Sequence, residues 1–90
     1  MELKDLREQI DTIDTELVEL FIKRMRIANQ VAEYKKTNGL PVYVQSREEQ
    51  ILQNLVQTAG NEFEDDIRAL YATIFALSRK LQEKQVSTDN

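Results

Sequence analysis

Residues 3–36 read LKDLREQIDTIDTELVELFIKRMRIANQVAEYKK, a stretch that contains neither Gly nor Pro. Apolar side chains recur in it at every seventh position, Leu3, Ile10, Leu17 and Val31 in one series and Leu6, Ile13, Leu20 and Ile27 in another. A sustained seven-residue repeat marks a helix with one long apolar seam. The spacing predicts a helix from about Lys4 to about Lys36, stopped by Asn38-Gly39-Leu40-Pro41. At 1.5 Å per residue it would be about 50 Å long. A compact monomer of this length spans only roughly 30 Å, so the seam must find cover elsewhere. The same helix of a second chain supplies it, which predicts an intertwined two-fold homodimer.

One member of the first series is not apolar. Between Leu17 and Val31 stands Arg24, and a cation on a buried seam is costly unless a negative group meets it. Asp14 or Glu48 would serve as a structural partner, and a bound anion would serve as well. Residues 1–21 hold seven acids and two bases, whereas residues 22–36 hold Lys23, Arg24, Arg26, Lys35 and Lys36 against Glu33 alone. Complementarity to the helix dipole accounts for that gradient in general, but not for an arginine on the apolar face.

Beyond the turn, Val42, Tyr43 and Val44 read as extended. Ser46-Arg47-Glu48-Glu49 matches a capping box with Ser46 as N-cap and Glu49 as its partner. A second helix of about three turns follows, striped by Ile51, Leu52, Leu55 and Val56 and stopped at Ala59-Gly60-Asn61. A third is expected after the acidic stretch Glu62 to Asp66, with Ile67, Leu70, Tyr71, Ile74, Phe75, Leu77 and Leu81 inward. Residues 86–90 read as a polar tail or linker. The expectation is one all-α domain over residues 1–90, built from one long helix and two shorter ones.

Composition narrows the chemistry. Two Gly and one Pro suit helices rather than a turn-rich β protein. A net charge of −4 argues against nucleic acid or an anionic membrane as the main partner. The chain has no Cys and no His, which excludes disulfides, thiolate or imidazole metal sites and His-based catalysis. With no apolar run of membrane-spanning length and no signal-like start, a cytoplasmic location is expected.

Polar residues on the inward faces form a second pattern. Arg24 and Lys35 lie eleven positions apart, three helical turns plus a small offset, so both point the same way with Ala28 and Val31 between them. Ser78 and Gln82 are spaced i, i+4 beside Ile74 and Leu81. Arg47 and Glu48 stand in the first turn of the second helix, where anions are favoured. Each alone has a structural explanation, as a space-filler or a solvated helix end. Together, two inward cations and an inward amide in so small a domain call for a ligand.

Taken in order, these residues resemble the all-helical chorismate mutases, found alone or fused to prephenate dehydratase, prephenate dehydrogenase or the first enzyme of the shikimate pathway. The resemblance covers nearly the whole chain: Leu6-Arg7-Glu8 with Ile10, Ile13-Asp14 and Leu17, then Lys23-Arg24, Tyr34-Lys35-Lys36, Pro41-Val42, Arg47-Glu48, and Ser78 with Gln82. It implies a site made of Arg7, Arg24, Lys35, Arg47, Glu48, Ser78 and Gln82, the substrate chorismate, the product prephenate, and neither metal nor organic cofactor. In that site Arg7 and Arg24 would clamp the two substrate carboxylates, and Lys35 and Gln82 would meet the ether oxygen. Glu48 would accept from the ring hydroxyl, Ser78 would donate to a carboxylate, and Arg47 would orient Glu48 or add positive potential.

One departure stands out: many relatives have Asp three residues before the Arg-Glu pair, where this chain has Val44. Only the backbone N–H of Val44 is then left for substrate, and more of the hydroxyl recognition falls to Glu48. Geometry constrains Arg7 independently, because it precedes Arg24 by seventeen residues, about 25 Å along one rigid helix. A small ligand touching both must take Arg7 from the partner subunit, giving two sites per dimer. Two alternatives remain, an isochorismate-pyruvate lyase and a non-catalytic helical dimerisation or effector-binding module of a fused pathway enzyme. Lyases of that type tend to be apolar where this chain has Glu48, which favours the mutase.

Overall fold

The computed structural model of the chain describes residues 2–87. Among them three helices and one short 3-10 turn follow in the order α1 (Leu3–Asn38), α2 (Gln45–Ala59), the turn Asn61–Phe63, and α3 (Glu64–Ser87). There is no strand among the described residues, as the all-α expectation required.

Helix α1 runs uninterrupted because nothing in it breaks the backbone ladder, and it stops where a left-handed residue is needed. Gly39 adopts φ 65° and ψ 34°, a conformation that costs any residue with a Cβ. From there the Gly39 N–H donates to the Lys36 carbonyl at 3.4 Å and the Leu40 N–H to the Lys35 carbonyl at 2.8 Å. This is a Schellman closure of the last turn. The chain then reverses, and the Val42 carbonyl accepts from Lys35 Nζ at 2.7 Å.

The start of α2 differs from the capping-box expectation. Val44, with extended backbone, is the N-cap, and Ser46 lies inside the first turn without capping it. The Val44 carbonyl accepts from both the Arg47 and Glu48 N–H groups, at 3.1 and 3.3 Å. Glu49, which would have closed the box, instead accepts from Gln45 Nε2 at 3.0 Å. The α3 start also shifts. Glu64, Asp65 and Asp66 form its first turn rather than preceding it, where acidic side chains complement the helix dipole. At the other end Val86 and Ser87 continue α3, and residues 88–90 of the expected tail lie outside the described residues.

Packing is one-sided. Helix α3 lies against both α1 and α2, whereas the backbones of α1 and α2 make no close approach to each other. Small residues allow the α1–α3 contact: Ala28 and Ala32 are buried in it, opposite Phe75, Ser78 and Gln82 of α3. These five are all the buried residues among those described, and no large side chain is fully buried.

The seam of α1 is bare, with Leu17 57% and Leu20 63% exposed and Leu3, Leu6, Ile10, Ile13, Ile27 and Val31 exposed as well. Leu70 and Leu77 of α3, expected inward, are exposed too. The chain measures 56 × 26 × 14 Å with a radius of gyration of 16.4 Å, against about 12 Å for a compact domain of its length. Its accessible surface of 7292 Å² is roughly a third more than a compact monomer of this mass would show. No described helix is long and apolar enough to cross a membrane.

The Gly39 turn gives a direct test. A Cβ at Gly39 would meet nothing within 4 Å, so Gly39→Ala is charged only for the left-handed backbone. Denaturant titration at fixed protein concentration should show a loss of about 1–2 kcal/mol, with Gly39→Asn losing less.

Candidate active site

The gap between α1 and α2, floored by α3, is a cavity of about 280 Å³. Helix α1 contributes Arg24, Ala28, Val31 and Lys35 from successive turns of one face, as the eleven-residue spacing demanded. The loop contributes Val42 and Val44, α2 contributes Arg47 and Glu48, and α3 contributes Ser78, Arg79 and Gln82. The cavity thus gathers every expected site residue except Arg7, which is exposed on the far part of α1.

Arg24 is not neutralised by Asp14 or Glu48. Glu48 pairs with Arg79 instead, and no ion pair to Arg24 is found among the described residues. Its guanidinium lies instead over the rings of Tyr71 and Phe75, at 5.8 and 5.9 Å from their centroids. Those two rings meet edge to face at 5.6 Å, so the α3 stripe forms an aromatic shelf under the cation. Ring faces attract a guanidinium but leave its N–H donors unspent.

Lys35 is anchored by the Val42 carbonyl, which takes one of its three N–H donors. On α3, Gln82 Nε2 donates to Ser78 Oγ at 3.0 Å, and both residues are deeply buried, at 8% and 7% exposure. Gln82 Oε1 is buried without a hydrogen-bond partner, a costly state in an otherwise satisfied interior. Turning the amide about its last torsion would let Oε1 accept from the Ser78 hydroxyl and give the NH₂ group the place of the unpartnered oxygen.

Glu48 is gripped by a residue the sequence did not single out. Arg79 Nη1 sits 2.6 Å from Oε1 and 2.6 Å from Oε2 of Glu48. The hydrogen bond to Glu48 raises the Arg79 pKa above its already high ordinary value, so this guanidinium stays charged. It also lies over the Tyr43 ring at 5.0 Å. Arg47, expected to orient Glu48, donates to Gln50 Oε1 at 2.7 Å instead and adds positive charge at the cavity wall. No cluster of three or more carboxylates among the described residues is placed to hold a metal ion.

Residues 6–83 match the model of chorismate mutase type II. The chain belongs to the type II chorismate mutases. The T-protein of Haemophilus influenzae is 36% identical to this chain over 93 residues, 97% of this chain and 25% of the relative. The bifunctional chorismate mutase/prephenate dehydratase of Aquifex aeolicus is 31% identical over 88 residues, 92% of this chain and 24% of the relative. The T-protein of Enterobacter agglomerans is 45% identical over 51 residues, 57% of this chain and 14% of the relative. The chain therefore spans about a quarter of the length of the first two of these curated relatives. No solved structure matches the chain.

The orphaned Gln82 oxygen makes a stability prediction that does not depend on turnover. Gln82→Met removes a buried, half-satisfied amide at nearly constant volume, and Ser78 can turn its hydroxyl to its own helix backbone. The ligand-free variant should be more stable than wild type by about 1 kcal/mol in denaturant titration. A loss of stability would mean that the amide is fully satisfied in solution.

Proposed function

We propose that the chain acts as a cytoplasmic chorismate mutase, converting chorismate to prephenate by a [3,3] pericyclic rearrangement within an intertwined homodimer. One observation carries this reading. A single cavity collects Arg24, Lys35, Arg47, Glu48, Ser78 and Gln82 from all three helices, a set of fixed charges and hydrogen-bonding groups without a His or Cys. Such a set suits a reaction in which no proton moves and no covalent enzyme intermediate forms. An ether C–O bond breaks as a C–C bond closes, and negative charge grows on the ether oxygen.

Arg24, with its donors unspent over the Tyr71 and Phe75 rings, would bind one substrate carboxylate in a bidentate fork. Arg7 of the same chain is too far along α1 to bind the other, so the partner subunit's Arg7 closes the clamp. The bare seam of α1 and the excess surface support that pairing. Clamping both ends holds the side chain over the ring, a positioning effect of up to ~7–11 kcal/mol in well-oriented model reactions.

The remaining contribution is electrostatic. Lys35 has donors left after its bond to Val42, and the Gln82 amide, turned as described, offers N–H groups from the opposite wall. Both would stabilise the ether oxygen more in the transition state than in the ground state. The one O–H donor of Ser78 would then be spent on Gln82 Oε1, holding the amide in that orientation, and would reach a carboxylate only while the amide is unturned. Glu48 would accept from the ring hydroxyl, and the Val44 side chain has nothing polar to add there.

The decisive experiment is to incubate the protein with chorismate and with isochorismate and identify the products. Prephenate from chorismate is expected. Pyruvate released from isochorismate, without prephenate from chorismate, would replace this reading with the lyase. A non-catalytic module has no use for Lys35 and Gln82 facing one cavity, and it predicts no product from either.

Two kinetic outcomes follow from the roles assigned. Lys35→Ala should lower kcat by at least about 100-fold, the scale of losing an oxyanion-hole donor, because its partner charge grows only along the reaction coordinate. Arg7→Ala and Arg24→Ala should each be nearly inactive alone. Mixed under conditions of subunit exchange, they should regain activity, since one of the two sites in each heterodimer keeps both arginines. No recovery despite demonstrated exchange would contradict the shared site.

A further inference from the structure

The grip on Glu48 has a role that the family-like set of residues leaves unassigned. Arg79 follows Ser78 on α3, one residue off the buried stripe of Phe75, Ser78 and Gln82. Its side chain returns toward the site by lying over the Tyr43 ring and reaching Glu48 across from α2. On its other side lies a second cavity of about 340 Å³, lined by Tyr43, Glu49, Leu52 and Arg68 among others. Glu48, Phe75 and Arg79 border both cavities, so the Glu48–Arg79 pair is part of the partition between them.

The geometry of the pair is specific. One nitrogen stands at equal distance, 2.6 Å, from both carboxylate oxygens, which places it on the bisector of the carboxylate. Contact there fixes the head group while using only part of its accepting capacity, which is about four lone pairs. A ligand hydroxyl can still be received on the cavity side. The charge balance changes as well. Beside a substrate with two carboxylates, a lone Glu48 would repel the ligand it is meant to orient, and Arg79 cancels that repulsion without removing the acceptor.

We propose that Arg79 is a positioning residue for this reaction, holding the Glu48 carboxylate on the substrate's ring hydroxyl and neutralising it against the substrate's carboxylates, with the Tyr43 ring as its support. The proposal rests on the mutase reading above and deepens it. It assigns a compensating role at a site where Val44 contributes no polar side chain, because Glu48 then has to recognise the hydroxyl alone. Arg79 acts through Glu48 and need not touch the substrate.

A double-mutant cycle tests this on the full chain, with helicity checked by circular dichroism. Arg79→Met should reduce kcat/KM by about 10- to 100-fold, the range for misplacing an orienting group, with much of the loss in KM because uncancelled charge opposes binding. In a Glu48→Gln background the same replacement should cost less than about threefold, since there is no carboxylate left to hold or neutralise. Arg79→Lys, which keeps a cation able to reach Glu48, should recover most of the lost activity. It also replaces Arg79→Met as the informative variant should that one fail to fold. Losses that multiply independently in the double mutant would overturn the proposal, as would full activity of Arg79→Met or no recovery with lysine. A wild-type protein that makes no prephenate from chorismate would overturn the mutase reading itself, and the proposal with it, a result distinct from any pattern among the variants.

Discussion

The arginine on the long seam is held by ring faces rather than by a carboxylate, and the rest of the site depends on that choice. A carboxylate partner would have satisfied Arg24 and spent its fork of donors. Tyr71 and Phe75 attract the charge through their π faces while occupying no N–H group. The cation is thereby placed without being used up. Glu48, one of the two acids expected as a partner for Arg24, is meanwhile committed to Arg79, which keeps it from collapsing onto Arg24 or Lys35. The cavity is a set of charges kept apart by their other obligations.

Separation at the level of helices serves the same end. Because α3 packs on both neighbours while α1 and α2 do not approach each other, the gap left between them is available for a ligand. The Schellman turn at Gly39 sets the width of that gap at its closed end, where the Val42 carbonyl meets the Lys35 ammonium. A chain that buries only five of its described residues gains little of its stability from its own interior. The apolar stripe along α1 is then the largest reserve of burial available to it.

The periodic parts of this architecture were readable from the sequence, and the parts that depend on one long side chain or one carbonyl were not. The length of α1 followed from its heptads and from Gly39. The common face of Arg24 and Lys35, and of Ser78 and Gln82, followed from helical spacing, which is rigid over such distances. Arg79 sits one step off the buried stripe, where spacing alone predicts solvent, and only its reach and the Tyr43 ring bring it back. Ser46 misled because the capping box is a pattern of side chains, whereas the α2 start is set by backbone. The Val44 carbonyl captures two N–H groups before Ser46 can cap, and Gln45 takes the glutamate the box required. The aromatic shelf under Arg24 was likewise hidden, since Tyr71 and Phe75 read simply as core.

Ala28 and Ala32 have a further consequence for how such a site can be altered. They are two of the five buried residues among those described, with Ala32 wholly enclosed, and α3, on which α1 packs, is the cavity floor. Enlarging either would pry α1 from α3 and widen the pocket by disassembling it, and close-packed contacts resist that steeply. Pocket shape is therefore rigid from below and more adjustable from above, where Val42 and Val44 lie on the connection between α1 and α2. A redesign for bulkier or smaller ligands has its freedom in those two valines, and the floor sets the limit within which they can be varied.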